Sequence, residues 1–182
     1  MNKRRIILLT GGARSGKSHY ALKLAADYST KHFIATAEAF DEGMAKRIKL
    51  HQMERTNDFK THEVPLFLGE KVKELASPGT VIVIDCLTVW ITNLMHHKKM
   101  ALDETLVQKC DEILDFIATI QNAEGCIVLV ANEVGLGIIP ESEMGRSFRD
   151  IAGRLNQWLG DLADEVILMV CGQPLFVKGR ET

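Results

Sequence analysis

The sequence predicts an α/β protein with a mainly parallel sheet, helices on both faces and an antiparallel hairpin at its C-terminal edge. Three observations support this class. Short β-branched runs alternate with helical patterns. Polar residues follow several of those runs directly. The last two apolar runs are separated only by Gly172-Gln173, which is typical of a hairpin. At 182 residues, the whole chain (1–182) is predicted to be one domain.

The elements follow from hydrophobic periodicity and from their bounding turn residues. Apolar or β-branched runs predict strands at 5–10, 32–36, 60–64, 80–84, 126–131, 165–171 and 174–178. Helical spacing of apolar residues predicts helices at 17–28, 41–55, 66–76, 87–98, 103–122 and 146–163. The run His96-His97-Lys98-Lys99 ends the helix at 87–98 and is interpreted as cations that complement the helix dipole, in preference to a metal or nucleic-acid patch.

The helix at 146–163 has the clearest periodicity. Its apolar residues fall on one stripe, formed by Phe148, Ile151, Leu155, Trp158, Leu159 and Leu162. Three arginines, Arg146, Arg149 and Arg154, lie off that stripe. They are interpreted as a solvated or ion-paired surface, with a phosphate-clamping role as the alternative.

The most specific motif is a complete G-x-x-x-x-G-K-[ST] phosphate loop between the first strand and the first helix. Its residues are Gly11, Gly12, Ala13, Arg14, Ser15, Gly16, Lys17 and Ser18. Glycines let backbone N–H groups approach phosphate oxygens, and the helix N-terminus favours an anion. Lys17 would contact the β- and γ-phosphates, and Ser18 would ligate Mg²⁺. The motif therefore predicts binding of a nucleoside triphosphate.

Further polar residues follow the second, fourth and fifth predicted strands. They are Thr36, Ala37 and Glu38, then Asp85, then Asn132 and Glu133. Ligands of open α/β sheets bind outside the carboxyl ends of the strands, so these residues are expected near the phosphate loop. The segment from Asn132 to Pro140 carries two glycines, which turn formation alone explains; its place at the carboxyl edge of the sheet is compatible with ligand contact but is not specific for it.

Asp85 is the candidate metal carboxylate. It follows the buried run Val81 to Ile84, as an acidic residue that holds the Mg²⁺ shell would. The alternative is an N-cap for the helix that begins near Leu87, and the two roles are compatible.

Composition excludes several classes. The net charge of −2 and the lack of a long basic run disfavour a nucleic-acid partner. The apolar runs are too short to span a membrane, and no signal peptide precedes the first strand, so a cytoplasmic protein is expected. The four cysteines have no metal-binding spacing and are interpreted as reduced, mostly buried thiols.

His51 could change the reaction class. Met44, Ile48 and His51 share one face of the predicted helix at 41–55. By pattern alone, a buried structural histidine is favoured. The alternative is a nucleophile that attacks an α-phosphate and displaces pyrophosphate.

Five segments together resemble one known family, the bifunctional adenosylcobinamide kinase / adenosylcobinamide-phosphate guanylyltransferases of cobalamin synthesis. The resemblance runs through nearly the whole chain. The segments are GGARSGKS (11–18), ATAEAFDEGMAKRIKLHQMER (35–55), DCLTVWITNLM (85–95), NEVGLGIIPE (132–141) and FRDIAGRLNQWLGDLADEVIL (148–168).

The resemblance implies a RecA-like P-loop fold, a homotrimer and two activities. ATP or GTP would phosphorylate adenosylcobinamide, and GMP from GTP would pass through a histidine to adenosylcobinamide phosphate. By position, His51 matches the guanylylated histidine, and Lys17 belongs to the matching phosphate loop. Further residues match positions near the guanine nucleotide: Thr36, Ala37, Glu38, Gln52, Met53, Glu54, Arg55, Glu63 and Asp85.

Two alternatives remain open from the residues. A plain small-molecule P-loop kinase would leave His51 structural and form no covalent nucleotide. A RecA-type nucleotide-dependent switch would hydrolyse slowly and need a protein or polymer partner.

Overall fold

A computed structural model describes residues 4–38, 58–98 and 106–179. The strands are β1 (Arg5–Gly11), β2 (Thr30–Ala35), β3 (Lys60–Glu63), β4 (Thr80–Asp85), β5 (Cys126–Val130), β6 (Glu165–Val170) and β7 (Gln173–Lys178). The helices are α1 (Lys17–Leu24), α2 (Leu68–Leu75), α3 (Leu87–Lys98), α4 (Leu106–Lys109), α5 (Asp111–Asn122) and α6 (Glu143–Leu162). The helix predicted at 41–55 lies outside the described residues.

All seven strands form one sheet, in the order β3-β2-β4-β5-β1-β6-β7. Every neighbouring pair is parallel except β6 and β7, which form the predicted antiparallel hairpin. The predicted fold class is therefore confirmed. Because β1 to β5 point the same way, their carboxyl ends share one edge of the sheet.

The core lies on both faces of that sheet. In β1, Ile6 and Leu8 face the larger cluster, which α2, α3, α5 and α6 cover. Ile7 and Leu9 face the opposite cluster, which contains Ala21 of α1. All four β1 side chains are buried, as expected for a central strand covered on both faces. This packing holds the end of β1, and thus the phosphate loop, in place.

The stripe predicted on α6 is confirmed. Ile151, Leu155 and Leu159 are buried, and Phe148 and Trp158 pack partly buried against the same cluster. The helix begins earlier than predicted, because the Ser142 hydroxyl accepts a hydrogen bond from the Gly145 N–H at 3.1 Å. Serine is a preferred N-cap, and this signal in the sequence was missed.

Two other predicted helices are corrected. The helix predicted at 103–122 is interrupted at Cys110, which is buried and has an extended backbone, and α5 begins after it. Asp111 and Glu112 favour that new start, because acidic residues stabilise a helix N-terminus. The helix predicted at 17–28 ends at Leu24. The N–H groups of Ala26 and Tyr28 instead bond carbonyls three residues back.

No helix in the described ranges is long and apolar enough to cross a lipid bilayer. The four cysteines are free thiols: Cys110 and Cys126 are buried, Cys86 is half-buried and Cys171 is exposed.

Candidate functional site

The phosphate loop joins the end of β1 to the start of α1, and its backbone requires glycine at two positions. Gly11 has φ 145° and Gly16 has φ 96°. A Cβ atom on Gly11 would lie 2.5 Å from the backbone oxygen of Met169 in the neighbouring strand β6. A Cβ on Gly16 would lie 3.2 Å from the Cα of Gly172. The loop is therefore pressed against the β6–β7 hairpin, and side chains at these positions would push it out of place.

Lys17 is held inside this loop. Its Nζ donates hydrogen bonds to the carbonyl oxygens of Gly11 at 2.9 Å and Gly12 at 2.7 Å, and the residue is only 7 % exposed. Burial lowers the pKa of Lys17, while the nearby Asp85 carboxylate acts in the opposite direction. The ammonium thus lies where a phosphate oxygen in the loop would compete with the two carbonyls for it.

Asp85 ends strand β4 at the same edge of the sheet and is half-buried. Its register partners are Ala35 in β2 and Val130 in β5. Helix α3 follows, and its first backbone hydrogen bond runs from the Trp90 N–H to the Cys86 carbonyl. Cys86 rather than Asp85 therefore occupies the cap position, so the alternative interpretation of Asp85 as an N-cap is wrong.

Thr36 ties β2 to β4 beside Asp85. Its N–H donates to the Asp85 carbonyl at 3.3 Å. Its hydroxyl donates to the Cys86 carbonyl at 2.8 Å and accepts from the Cys86 N–H at 2.9 Å. The Asp85–Cys86 peptide bond between them is cis. Thr36 is fully buried, so this residue fixes the relative position of the two strand ends.

The segment after β5 also contacts the phosphate loop. The Glu133 N–H donates to the Gly11 carbonyl at 3.0 Å, the same oxygen that Lys17 contacts. The Asn132 N–H donates to the Thr88 hydroxyl of α3 at 2.7 Å. Further along, Leu136 and Ile138 are 80 % and 94 % exposed. The base of this segment is therefore part of the site, whereas its tip projects into solvent.

The donor set fits a Mg²⁺ ion that is bound mainly through its substrate. Ser18 lies in the first turn of α1, and the Asp85 carboxylate is close enough to influence Lys17. Within residues 4–38, 58–98 and 106–179, no group of three or more His, Cys, Asp or Glu side chains is arranged to hold a metal. One hydroxyl and one carboxylate suit Mg²⁺, which keeps several waters and takes phosphate oxygens as ligands.

The structure brings some of the predicted site residues together and places others farther away. The phosphate loop, Thr36 and Asp85 meet at the carboxyl edge. Glu38 follows Thr36 and contacts His97 of α3 through Oε2 and Nε2, 3.0 Å apart. Glu63 ends the edge strand β3 opposite Ala35, so it is the described candidate farthest along the sheet from β1. His51, Gln52, Met53, Glu54 and Arg55 lie outside the described residues.

Helix α3 carries site-supporting residues that the sequence analysis missed. Asn93 is fully buried, and its Nδ2 donates to the carbonyls of Thr36 at 2.7 Å and Pro65 at 3.1 Å. The histidines that end α3 were interpreted as dipole partners only, without the contact to Glu38. The signal in the sequence that could have found Asn93 is its position as a polar residue among apolar residues of the helix.

Two arginines of α6, Arg146 and Arg149, have local partners. Arg146 donates to the carbonyls of Pro140 at 3.1 Å and Glu141 at 2.6 Å, so it anchors the end of the segment after β5. Arg149 forms a surface ion pair with Asp150 at 2.9 Å. The interpretation as an ion-paired surface therefore holds for Arg149.

Solved structures with low sequence identity share the fold. A protein from Pyrococcus horikoshii OT3 aligns with a TM-score of 0.53 at 8 % identity, covering 100 % of this chain and 89 % of that one. A type III secretion system ATPase aligns with a TM-score of 0.51 at 6 % identity, covering 91 % of this chain and 51 % of that one. These two likenesses show a shared fold and agree with the strand order described above.

Sequence relatives are much closer. The bifunctional adenosylcobalamin biosynthesis protein CobU of Escherichia coli (strain K12) is 41 % identical over 180 residues, or 95 % of this chain and 99 % of the relative. The protein CobP of Pseudomonas aeruginosa is 38 % identical over 174 residues, covering 95 % and 97 %. The family model described as cobinamide kinase / cobinamide phosphate guanyltransferase matches residues 7–177. With nearly its whole length matched, this chain belongs to the cobinamide kinase / cobinamide phosphate guanyltransferase family.

Proposed function

We propose that this protein phosphorylates adenosylcobinamide with a nucleoside triphosphate and then transfers GMP from GTP to adenosylcobinamide phosphate. The observation that carries this function is the intact phosphate loop, in which Lys17 Nζ donates to the Gly11 and Gly12 carbonyls, in a chain that matches the family over residues 7–177. ATP and GTP are the nucleotide substrates. The products of the second reaction are adenosylcobinamide-GDP and pyrophosphate.

In the kinase step, the substrate hydroxyl oxygen bonds to the γ-phosphorus. The bond from that phosphorus to the β–γ bridging oxygen breaks, and a nucleoside diphosphate leaves while the hydroxyl proton is released. Lys17 and the backbone N–H groups of the loop neutralise the phosphates, and α1 adds its positive N-terminal dipole. Ser18 and Asp85 would hold Mg²⁺, which would supply further charge neutralisation. Catalysis thus consists mainly of positioning and electrostatics.

In the transferase step, an imidazole nitrogen of His51 attacks the α-phosphorus of GTP, and pyrophosphate leaves. A phosphate oxygen of adenosylcobinamide phosphate then attacks the same phosphorus. The phosphorus–nitrogen bond breaks, the new diphosphate forms and His51 is regenerated. A covalent intermediate of this kind predicts ping-pong kinetics.

The nucleotide contacts are assigned by position and supported by the edge geometry. Residues 11–18 bind the phosphates. The guanosine end is assigned to Thr36, Ala37, Glu38, Gln52, Met53, Glu54, Arg55, Glu63 and Asp85. The hydrogen bonds from Thr36 to Asp85 and Cys86 support this assignment, because they bring two of the strand ends together beside the loop.

A homotrimer in the cytoplasm is part of the proposal. Large exposed apolar side chains follow β5, among them Leu136, Ile138, Ile139 and Met144. Exposed large apolar side chains next to a site favour an interface. The cytoplasm is where the two nucleoside triphosphates are available.

The test is covalent labelling. The protein and a His51→Ala variant are incubated with Mg²⁺ and GTP labelled on the α-phosphate, with pyrophosphate removed, and then denatured. Retained label that is acid-labile and alkali-stable indicates a phosphoramidate. We expect it in the wild type and in a His96→Ala control, an exposed histidine of α3, but not in His51→Ala.

The same preparations are assayed for phosphorylation of adenosylcobinamide. His51→Ala is expected to keep kinase activity, because the nucleophile for the α-phosphorus has no role at the γ-phosphorus. A wild type that binds GTP and phosphorylates adenosylcobinamide but retains no label would instead be a plain kinase.

A further inference from the structure

Three side chains on one face of helix α3 form hydrogen bonds with the segments that directly follow strands β2 and β3. Trp90, Asn93 and His97 are spaced by three and four residues, so they share that face. The Trp90 Nε1–H donates to the Leu66 carbonyl at 2.7 Å. Its ring also packs against Phe116 of α5, with ring centroids 5.2 Å apart. This end of the face is thus anchored in the core.

Asn93 occupies the middle of the face and holds two strand ends at once. The Nδ2 hydrogen bonds to Thr36 and Pro65 join the segments that follow β2 and β3. The side chain is fully buried, yet its Oδ1 accepts no hydrogen bond within the described part of the chain. A buried polar group with an unpaired acceptor is costly for stability. Such local violations are expected at functional sites.

His97 extends the same line to Glu38, the second residue after Thr36. The two side chains are 3.0 Å apart and partly exposed, so each can be replaced without opening the core. Thr36 and Glu38 lie where the chain leaves the carboxyl edge of β2, before the sequence that contains His51. Thr36 in turn contacts Cys86, next to Asp85. Through Thr36 and Glu38, the α3 face therefore contacts two residues that are assigned to the guanosine end of the site.

We propose that Asn93 and His97 are positioning residues for guanylyl transfer, acting through Thr36 and Glu38. They hold Thr36 and Glu38, and so set the position of the segment that follows β2 relative to the nucleotide. In this role neither residue touches the reacting atoms. This inference rests on the proposed transfer of GMP to His51. Small errors in the placement of reacting groups have large kinetic costs, so loss of these contacts should slow transfer.

The experiment compares two rates in each variant at saturating GTP: single-turnover labelling of the protein from α-labelled GTP, and kinase turnover on adenosylcobinamide. We expect His97→Ala to slow labelling on the order of tenfold more than it slows the kinase. His97→Gln should restore labelling, because the glutamine amide can donate to Glu38. Thr92→Ala is the matched control, since Thr92 is exposed on the same helix and its hydroxyl donates back to the Thr88 carbonyl at 3.2 Å.

A second variant, Asn93→Asp, keeps the shape of the side chain and removes the donor to both carbonyls. It should show the same selective loss of labelling together with a lower Tm. Equal slowing of both activities in His97→Ala, or labelling within about twofold of wild type, would overturn the inference. A wild type that carries no His51-dependent label would instead refute the guanylyl-transfer function itself, so the two failures are distinguishable.

Discussion

Lys17 is the residue on which both proposed reactions depend. It is almost fully buried, its ammonium bonds the carbonyls of Gly11 and Gly12, and Asp85 favours its charged form. In this state the loop's own carbonyls hold the cation close to where phosphate oxygens would lie. Binding of a triphosphate would replace those weak partners with charged ones, which form stronger hydrogen bonds.

Lys17→Met removes the charge at similar side-chain length. Kinase turnover and histidine labelling should both fall, on the order of 10²-fold or more, because a preorganised charge at the phosphates is lost. Lys23→Met, on the exposed side of the same helix, is the control and should keep both activities. Steady-state kinetics and labelling measure the effect, and unchanged GTP affinity and turnover in Lys17→Met would refute the shared phosphate site.

At the scale of elements, the phosphate loop is shaped by the hairpin beside it as much as by its own motif. Gly11 lies against Met169 of β6, and Gly16 lies against the β6–β7 turn. Gly12, one residue away, has no atom within 4 Å of the position that a Cβ would occupy. The motif requires glycine at Gly11 and Gly16, and the structure shows that the neighbouring strands require it too.

Gly11→Ala should therefore destabilise the protein by about 1–3 kcal/mol, since the new methyl group meets backbone and φ is unfavourable for alanine. Gly12→Ala should leave the free energy of unfolding nearly unchanged. Urea unfolding without nucleotide measures both. Similar losses in the two variants would show that the contact with Met169 does not determine the loop.

The pair β2–β3 carries a histidine contact with a pH consequence. His32 Nδ1 and His62 Nε2 are 3.0 Å apart. Burial lowers the pKa of both rings below 6.5. Positive charge adds to this effect: His62 and Lys60 act on His32, and Lys71 and Lys60 act on His62, against the opposing carboxylate of Glu74. Below about pH 6.5 the unfolded chain thus binds more protons than the folded one.

Stability should accordingly fall as the pH drops from about 7.5 to about 5.5, because protonation favours the unfolded state there. His62→Gln should flatten this dependence by removing one titrating ring and its charge on His32. His19→Gln, at an exposed position of α1, should keep the wild-type slope. The measurement is Tm as a function of pH across this range. An unchanged slope of Tm against pH in His62→Gln would contradict the role assigned to the His32–His62 pair.

At the scale of the whole molecule, the exposed apolar residues after β5 bear on assembly. Ile138 is 94 % exposed and Ile139 71 %, values that are unusual for neighbouring large apolar residues. The base of this segment is bonded to Gly11 through Glu133. Contact between copies through this segment would therefore place the site close to a subunit boundary.

Ile138→Asp should shift the assembly toward smaller species by placing a charge in that contact. The wild type is expected at three times the 20.3 kDa mass of one chain. Leu114→Asp, on a less exposed apolar residue of α5, is the control and should remain at the wild-type mass. Analytical ultracentrifugation measures the mass of both variants. An Ile138→Asp variant with the wild-type mass would show that this segment is not part of the interface.

The sequence by itself determined the features that depend on neighbouring residues. The alternating runs predicted the parallel sheet and its edge hairpin, and the phosphate-loop motif predicted Lys17 and its surroundings. These are local patterns, because backbone periodicity and a loop of eight residues are encoded within a short span.

Only the tertiary structure decided which distant segments meet. The bond from Asn93 to Thr36 spans 57 positions in the chain, and it exists because β2 and β4 are neighbours in the sheet. The break at Cys110 likewise depends on burial of that residue against other elements. Hydrogen bonds and burial between remote segments follow from strand order, which local spacing does not encode.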